Sequence, residues 1–105
     1  MTTFDEREKG FERKFAEDEE REFRAKGRRD RMLGEWAARL MGLDSADDYV
    51  RAIVRSDVGR HQEDDVLRKV SQDLSAAGLR VGETEVRAKM DEFLAIARGE
   101  VSAGR

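Results

Sequence analysis

Cysteine and proline are both missing from this chain of 105 residues, and histidine and tryptophan occur once each. Without cysteine there is no disulfide frame, no thiolate metal site and no thiol catalysis. Without proline, nothing forbids the helical backbone anywhere along the chain. No apolar run approaches the roughly 20 residues needed to cross a bilayer. The charged N-terminus also lacks a signal-peptide core, so the chain reads as soluble and cytoplasmic, with no direct membrane insertion.

Charged residues are abundant, at 43% against 38% hydrophobic. Ala, Leu, Met, Glu, Lys and Arg dominate, which points to an all-α fold. At this length the chain is one domain with a modest core. The net charge of −3 is unevenly placed. Ten of the 24 acids and ten of the 21 bases lie between residues 5 and 31, leaving fourteen acids against eleven bases elsewhere. A nucleic-acid binder would show a net basic face. Here the basic run Arg24 to Arg31 follows an acidic one, Glu17 to Glu22, and the overall charge argues against DNA or RNA.

Four helices follow from the apolar spacing. Thr3 and Glu6 form a capping-box pattern that opens the first near Phe4, and nothing stops it firmly before Gly42. Gly10 and Gly27 each weaken it by roughly 1 kcal/mol relative to alanine. Met32, Leu33, Trp36, Ala37, Leu40 and Met41 give its rear half a broad apolar face, closed by Gly42 and Leu43. The second helix opens at Ser45, carries Tyr49, Val50, Ile53 and Val54, and ends at Gly59. The third starts near Gln62, buries Val66, Leu67, Val70 and Leu74, and closes at Gly78. The fourth follows Gly82, turns Val86, Met90, Phe93, Leu94 and Ala97 inward, and ends at Gly99. Short connections make successive helices neighbours in a small four-helix bundle. Trp36 and Phe93 are the largest candidates for its centre.

Catalytic chemistry has little support. His61 stands alone in a predicted loop and reads as solvated. Asp44, Asp47 and Asp48 miss the alternate-position spacing of a calcium loop and read as helix-start acids, as do Glu63, Asp64 and Asp65. Gly78 to Gly82 lacks the lysine and hydroxyl of a phosphate loop, and no serine sits in a nucleophile elbow. No metal site, cofactor or enzymatic activity is expected. The cluster Arg28, Arg29, Arg31 reads as a solvated helix face answering Glu22 and Glu35.

One feature resists a core reading. Phe4, Phe11 and Phe15 fall within an arc of roughly 40° on a segment that is otherwise almost all charge. The stripe is too thin to be a core face, and it suits insertion between other surfaces. Phe23 points roughly 80° away from Phe15 and is assigned to the bundle behind. The boundary between a partly mobile segment and the packed domain is expected between residues 17 and 28. The working division is a mobile segment over 1–20, a bundle over 21–99 and a flexible tail over 100–105.

Four stretches in order, MTTFDEREKGFERKF, RRDRMLGEWAARLMG, DVLRKVSQDL and VRAKMDEFLA, resemble the zeta subunit family, the ATPase inhibitors of certain bacterial F-type ATP synthases. Gly10 and Gly27 depart from that pattern, where helix-favouring residues are more usual. The resemblance implies a four-helix protein whose N-terminal segment blocks ATP hydrolysis. It also implies insertion at a catalytic interface between alpha and beta subunits, with the central stalk as a further neighbour, at the cytoplasmic face of the synthase. By position the partner-binding residues would be Phe4, Glu6, Arg7, Glu8, Lys9, Phe11, Glu12, Arg13, Lys14 and Phe15. The alternatives are a nucleic-acid-binding helical protein using Arg24 to Arg31, and a sensor that binds adenine nucleotides weakly in a bundle pocket near Trp36.

Overall fold

The computed structural model describes residues 2–57 and 63–104, with the side chains of 2–9, 11, 56, 57 and 63 outside the described set. Four helices run in order: α1 Thr2–Met41, α2 Ala46–Asp57, α3 Glu63–Ala76 and α4 Glu83–Ser102. Among the described residues there is no strand, and the fold is an all-α small bundle. Its outline is elongated, 65 × 25 × 23 Å, because α1 alone is 40 residues long and so spans about 60 Å.

Chain ends of the helices follow local chemistry. At the end of α1, Gly42 adopts φ 68°, and the Leu43 N–H donates to the Ala38 carbonyl at 3.0 Å while Gly42 donates to Arg39 at 3.2 Å. That crossed pair satisfies two of the carbonyls a helix end leaves open, and it needs a residue that tolerates positive φ. The end of α3 repeats the device. Gly78 has φ 83°, and Leu79 donates to Leu74 at 3.0 Å. At the start of α2 the Ser45 hydroxyl accepts the Asp48 N–H at 3.3 Å, a side-chain cap for one orphan donor. The side chain of His61 and the residues from Val58 to Gln62, including the expected stop at Gly59, lie outside the described residues.

Gly99 does not end α4. The helix continues to Ser102, and the backbone N–H groups of Ala103 and Gly104 close it on Gly99 and Val101, both at 3.1 Å. A single glycine costs a helix only about 1 kcal/mol, which Ala97, buried against α1, Glu100, paired with Arg28, and the capped end offset.

The core draws on all four helices: Leu33 and Ala37 from α1, Ile53 from α2, Val66, Leu67, Val70 and Leu74 from α3, and Val86 and Met90 from α4. Trp36 and Phe93 pack around this cluster, partly buried, and do not form its centre. Trp36 lies about 60° round the helix from Leu33, so its ring spans from core to surface. Lys89 Nζ sits 5.7 Å from the Phe93 ring centre, which places that ring at the edge as well. A second cluster joins Ala25 of α1 to Leu94 and Ala97 of α4, with Met32 and Val101 against it. As the contacts move backward along α1 they move forward along α4, so the two helices run antiparallel.

Close approach of α1 to α2 depends on Gly34. A Cβ there would stand 2.8 Å from Val50 Cγ2 and 3.2 Å from the Val50 Cα. The backbone neighbour cannot rotate aside. Gly34→Ala is therefore expected to lower stability by about 1–3 kcal/mol through overpacking. Gly27→Ala, which meets nothing within 4 Å, should raise it by up to ~1 kcal/mol. Urea unfolding midpoints of the two variants against the parent check both signs.

Candidate partner-binding segment

The face that α1 offers beyond the bundle is built by the same periodicity that builds its buried half. Ala25 is the first buried side chain along the described part of α1, and Leu33, Ala37 and Ala38 follow. Ahead of them, residues 12–21 are exposed throughout. Phe15 is 57% exposed there, although it falls on the line of the core residue Leu33. Glu12, Arg13 and Lys14 are exposed beside it. The backbone at Phe4, Glu6, Arg7, Glu8, Lys9 and Phe11 belongs to α1, whereas their side chains lie outside the described residues.

A clasp of charges marks the junction. Arg98 of α4 meets Glu22 with two guanidinium nitrogens, Nε to Oε2 at 3.1 Å and Nη2 to Oε1. The planar fork of arginine matches a carboxylate in this geometry. Donation from Arg98, aided by the positive charges of Arg98, Lys26 and Arg29, holds the Glu22 carboxyl below its ordinary value of 4.5 against a smaller opposing push from burial. Arg28 reaches the other side of α4, with Nη1 3.2 Å from Glu100 Oε1. Between the two pairs sit Ala25, Leu94 and Ala97. Residue 100 is thus a helical residue engaged with α1.

The basic cluster expected at Arg28, Arg29 and Arg31 does not form one solvated face. At about 100° per residue the three side chains diverge. Arg31 pairs with Glu35 at 4.0 Å on the surface. Arg29 is 1% exposed, and its Nε and Nη2 lie 3.1 and 3.0 Å from Asp30 Oδ1, itself buried. Glu22 accepts its hydrogen bonds from Arg98, with Lys26 and Arg29 adding their charge. The burial of Arg29 was readable from spacing, since it stands seven residues from both Glu22 and Trp36, close to the azimuth of Leu33. A buried charge must be paired, because an isolated one loses its hydration without return. Phe23, assigned to the bundle by sequence, is instead 65% exposed.

Other acids serve the helices. Asp47 and Asp48 occupy the first turn of α2, and Asp48 accepts from Arg51 at 3.1 Å. Asp64 accepts from Arg87 at 3.2 Å, tying α3 to α4. Tyr49 donates to Asp73 at 2.8 Å, and Lys69 reaches the same oxygen at 3.2 Å. Burial first, then the bond to Asp73 and its charge, pushes the Tyr49 hydroxyl pKa upward. Among the described residues no group of three His, Cys, Asp or Glu side chains is placed to hold a metal ion. A depression of about 310 Å³ is lined by Glu35, Ala38, Arg39, Leu43, Asp44 and Ala46; Trp36 is not part of it. No described helix is long and apolar enough to cross a membrane.

The family model for ATPase inhibitor subunit zeta matches residues 1–100, nearly the whole chain. No curated protein matches it.

The Glu22–Arg98 clasp has a defined pH dependence. Because the folded carboxyl is depressed below 4.5, its contribution is complete above that value and is lost as pH falls through the lower folded one. The pair is partly solvent-exposed, so its worth is about 0.2–1 kcal/mol. The stability gap between the parent and Arg98→Ala should hold at neutral pH and shrink as the medium is acidified below 4.5. A gap that stays constant down to about pH 3 would contradict the assignment.

Proposed function

The chain belongs to the ATPase inhibitor subunit zeta family, and on that premise we propose that its regulatory, inhibitory role is exercised by the N-terminal half of α1. In this reading residues 1–20 enter a catalytic interface between the alpha and beta subunits of an F-type ATP synthase and stop ATP hydrolysis. The bundle stays outside as an anchor and steric block, at the cytoplasmic face and near the central stalk. The observation that carries the reading is Phe15, 57% exposed on a stretch with no buried side chain, in a member of an inhibitor family.

The physical account is one of burial on a partner. Phe4, Phe11 and Phe15 act as anchors, each capable of roughly 1.5–3 kcal/mol when removed from water. Arg7, Lys9, Arg13 and Lys14 pair with acids across the interface, and Glu6, Glu8 and Glu12 with bases. Such pairs set register and the rate of encounter more than affinity. A projecting helix of this length is marginal by itself. Part of the binding free energy is then spent on ordering it, which makes inhibition sensitive to helix propensity along the arm.

ATP hydrolysis by a cognate catalytic sector, titrated with the full chain and with a chain lacking residues 1–18, tests the reading. Inhibition should vanish on truncation. Phe11→Ala combined with Phe15→Ala should weaken it by roughly a hundredfold or more, the equivalent of about 3 kcal/mol of lost burial, with the unfolding midpoint unchanged. Full inhibition by the truncated chain would assign the activity to the bundle and defeat the proposal.

A further inference from the structure

Phe15 and Leu33 are 18 residues apart, about five whole turns of helix. They therefore point the same way from the axis of α1, and Glu22 and Arg29 lie within roughly 40° of the same direction. Leu33 and Arg29 are the buried centre of the α1 face that the other helices cover. Phe15, exposed on the arm, thus lies on the straight continuation of the bundle-facing stripe. It looks towards the side on which α4 lies.

The end of α4 comes close to it. Ala25 packs on Ala97, and α4 stops five residues later at Ser102, about 8 Å further along an antiparallel path. That brings its end level with about Glu20. Phe15 lies somewhat more than one helical turn beyond, on the same side.

We propose that α1 acts as a single phase-locked shaft, so that the partner surface covering Phe15 takes up the line of α4 beyond its last turn, in the layer that α4 fills over the buried half of α1. This rests on the inhibitory reading of the arm and adds an orientation to it. The arm is not a tether that lets the bundle hang in any direction. Clasping by Glu22–Arg98 and Arg28–Glu100, with Ala25 packed between them on Leu94 and Ala97, fixes the rotation of the helix before it leaves the bundle. The partner is a protein surface that meets the arm at Phe15 and abuts the last turn of α4.

Helical phase separates this from a flexible linkage. Two, four or seven alanines inserted between Ala16 and Glu17 of the full chain turn the stripe relative to the bundle by about 200°, 40° and −20°, while lengthening the arm by about 3, 6 and 10 Å. All three leave the buried positions from Ala25 onward untouched, which an unchanged unfolding midpoint confirms. The phase-locked shaft predicts that the two-residue insertion, the shortest of them, weakens inhibition of ATP hydrolysis most, by roughly tenfold or more. The four- and seven-residue insertions should stay closer to the parent. Inhibition that is equal in all three, or that declines steadily with added length, overturns the proposal and leaves the inhibitory reading intact. A parent chain that does not inhibit at all defeats that reading instead.

Discussion

Everything in this molecule depends on one helix being covered along only part of its length. From Ala25 to Ala38, α1 is buried against α2, α3 and α4, with Leu33 at the centre of the packing. From Glu12 to Arg21 every side chain is exposed. The covered part is held tightly because its contact residues are small where another backbone must come near. Gly34 admits Val50 of α2, and Ala25 admits Leu94 and Ala97 of α4. Burial of this kind, not intrinsic propensity, provides most of a helix's stability in a protein. It lets the bundle carry a projecting helix whose own sequence is nearly all charge.

Between residues 12 and 21 only Phe15 and Ala16 are apolar. Residues 5 to 31 hold equal numbers of acids and bases, and on the exposed stretch Asp18 pairs with Arg21 at 3.7 Å. Pairs of this type are worth a few tenths of a kcal/mol in an exposed helix. They stabilise the helical form weakly and offer the bundle no apolar surface wide enough to bury. In the proposed reading Phe15, which is left exposed on the arm, is then available to a partner. An inhibitor needs this division, since a stripe satisfied within its own chain would have no free energy left for another. The Glu22–Arg98 clasp stands at the division and holds the helix where its covered half begins.

Much of the fold was legible in the sequence because it rests on local rules. Apolar spacing located the buried residues of α2, α3 and α4, and Gly42 with Leu43, and Gly78, gave the helix ends that the hydrogen bonds show. Ser45 was legible as a cap for the same reason. What escaped was whatever depends on distance between helices. The need for glycine at 34 appears only when α2 lies across it. Arg98 and Glu22 are 76 positions apart, so no spacing rule joins them. Arg29 was judged by its charge when its azimuth placed it inside. Size alone points to Trp36 and Phe93 as the centre, although a large ring often sits at the rim where it can span core and surface, and the direction of Phe23 away from Phe15 does not say what covers it. Gly99 was taken as a stop from its identity alone. The stripe at positions 4, 11 and 15 reads as a candidate site because it is too narrow for a core, and Phe15, its one described side chain, is exposed. Its relation to α4 needed the three-dimensional arrangement.

Residue-resolved hydrogen exchange along α1, in the free chain and with a cognate catalytic sector bound, tests most directly the claim that the bundle holds one half of this helix and a partner holds the other. Amides from Glu22 to Met41 should be protected in both states. Those from Phe4 to Glu20 should exchange fast in the free chain and become protected in the complex. Protection of the arm that is already complete in the free chain, or absent from the complex, would contradict the account.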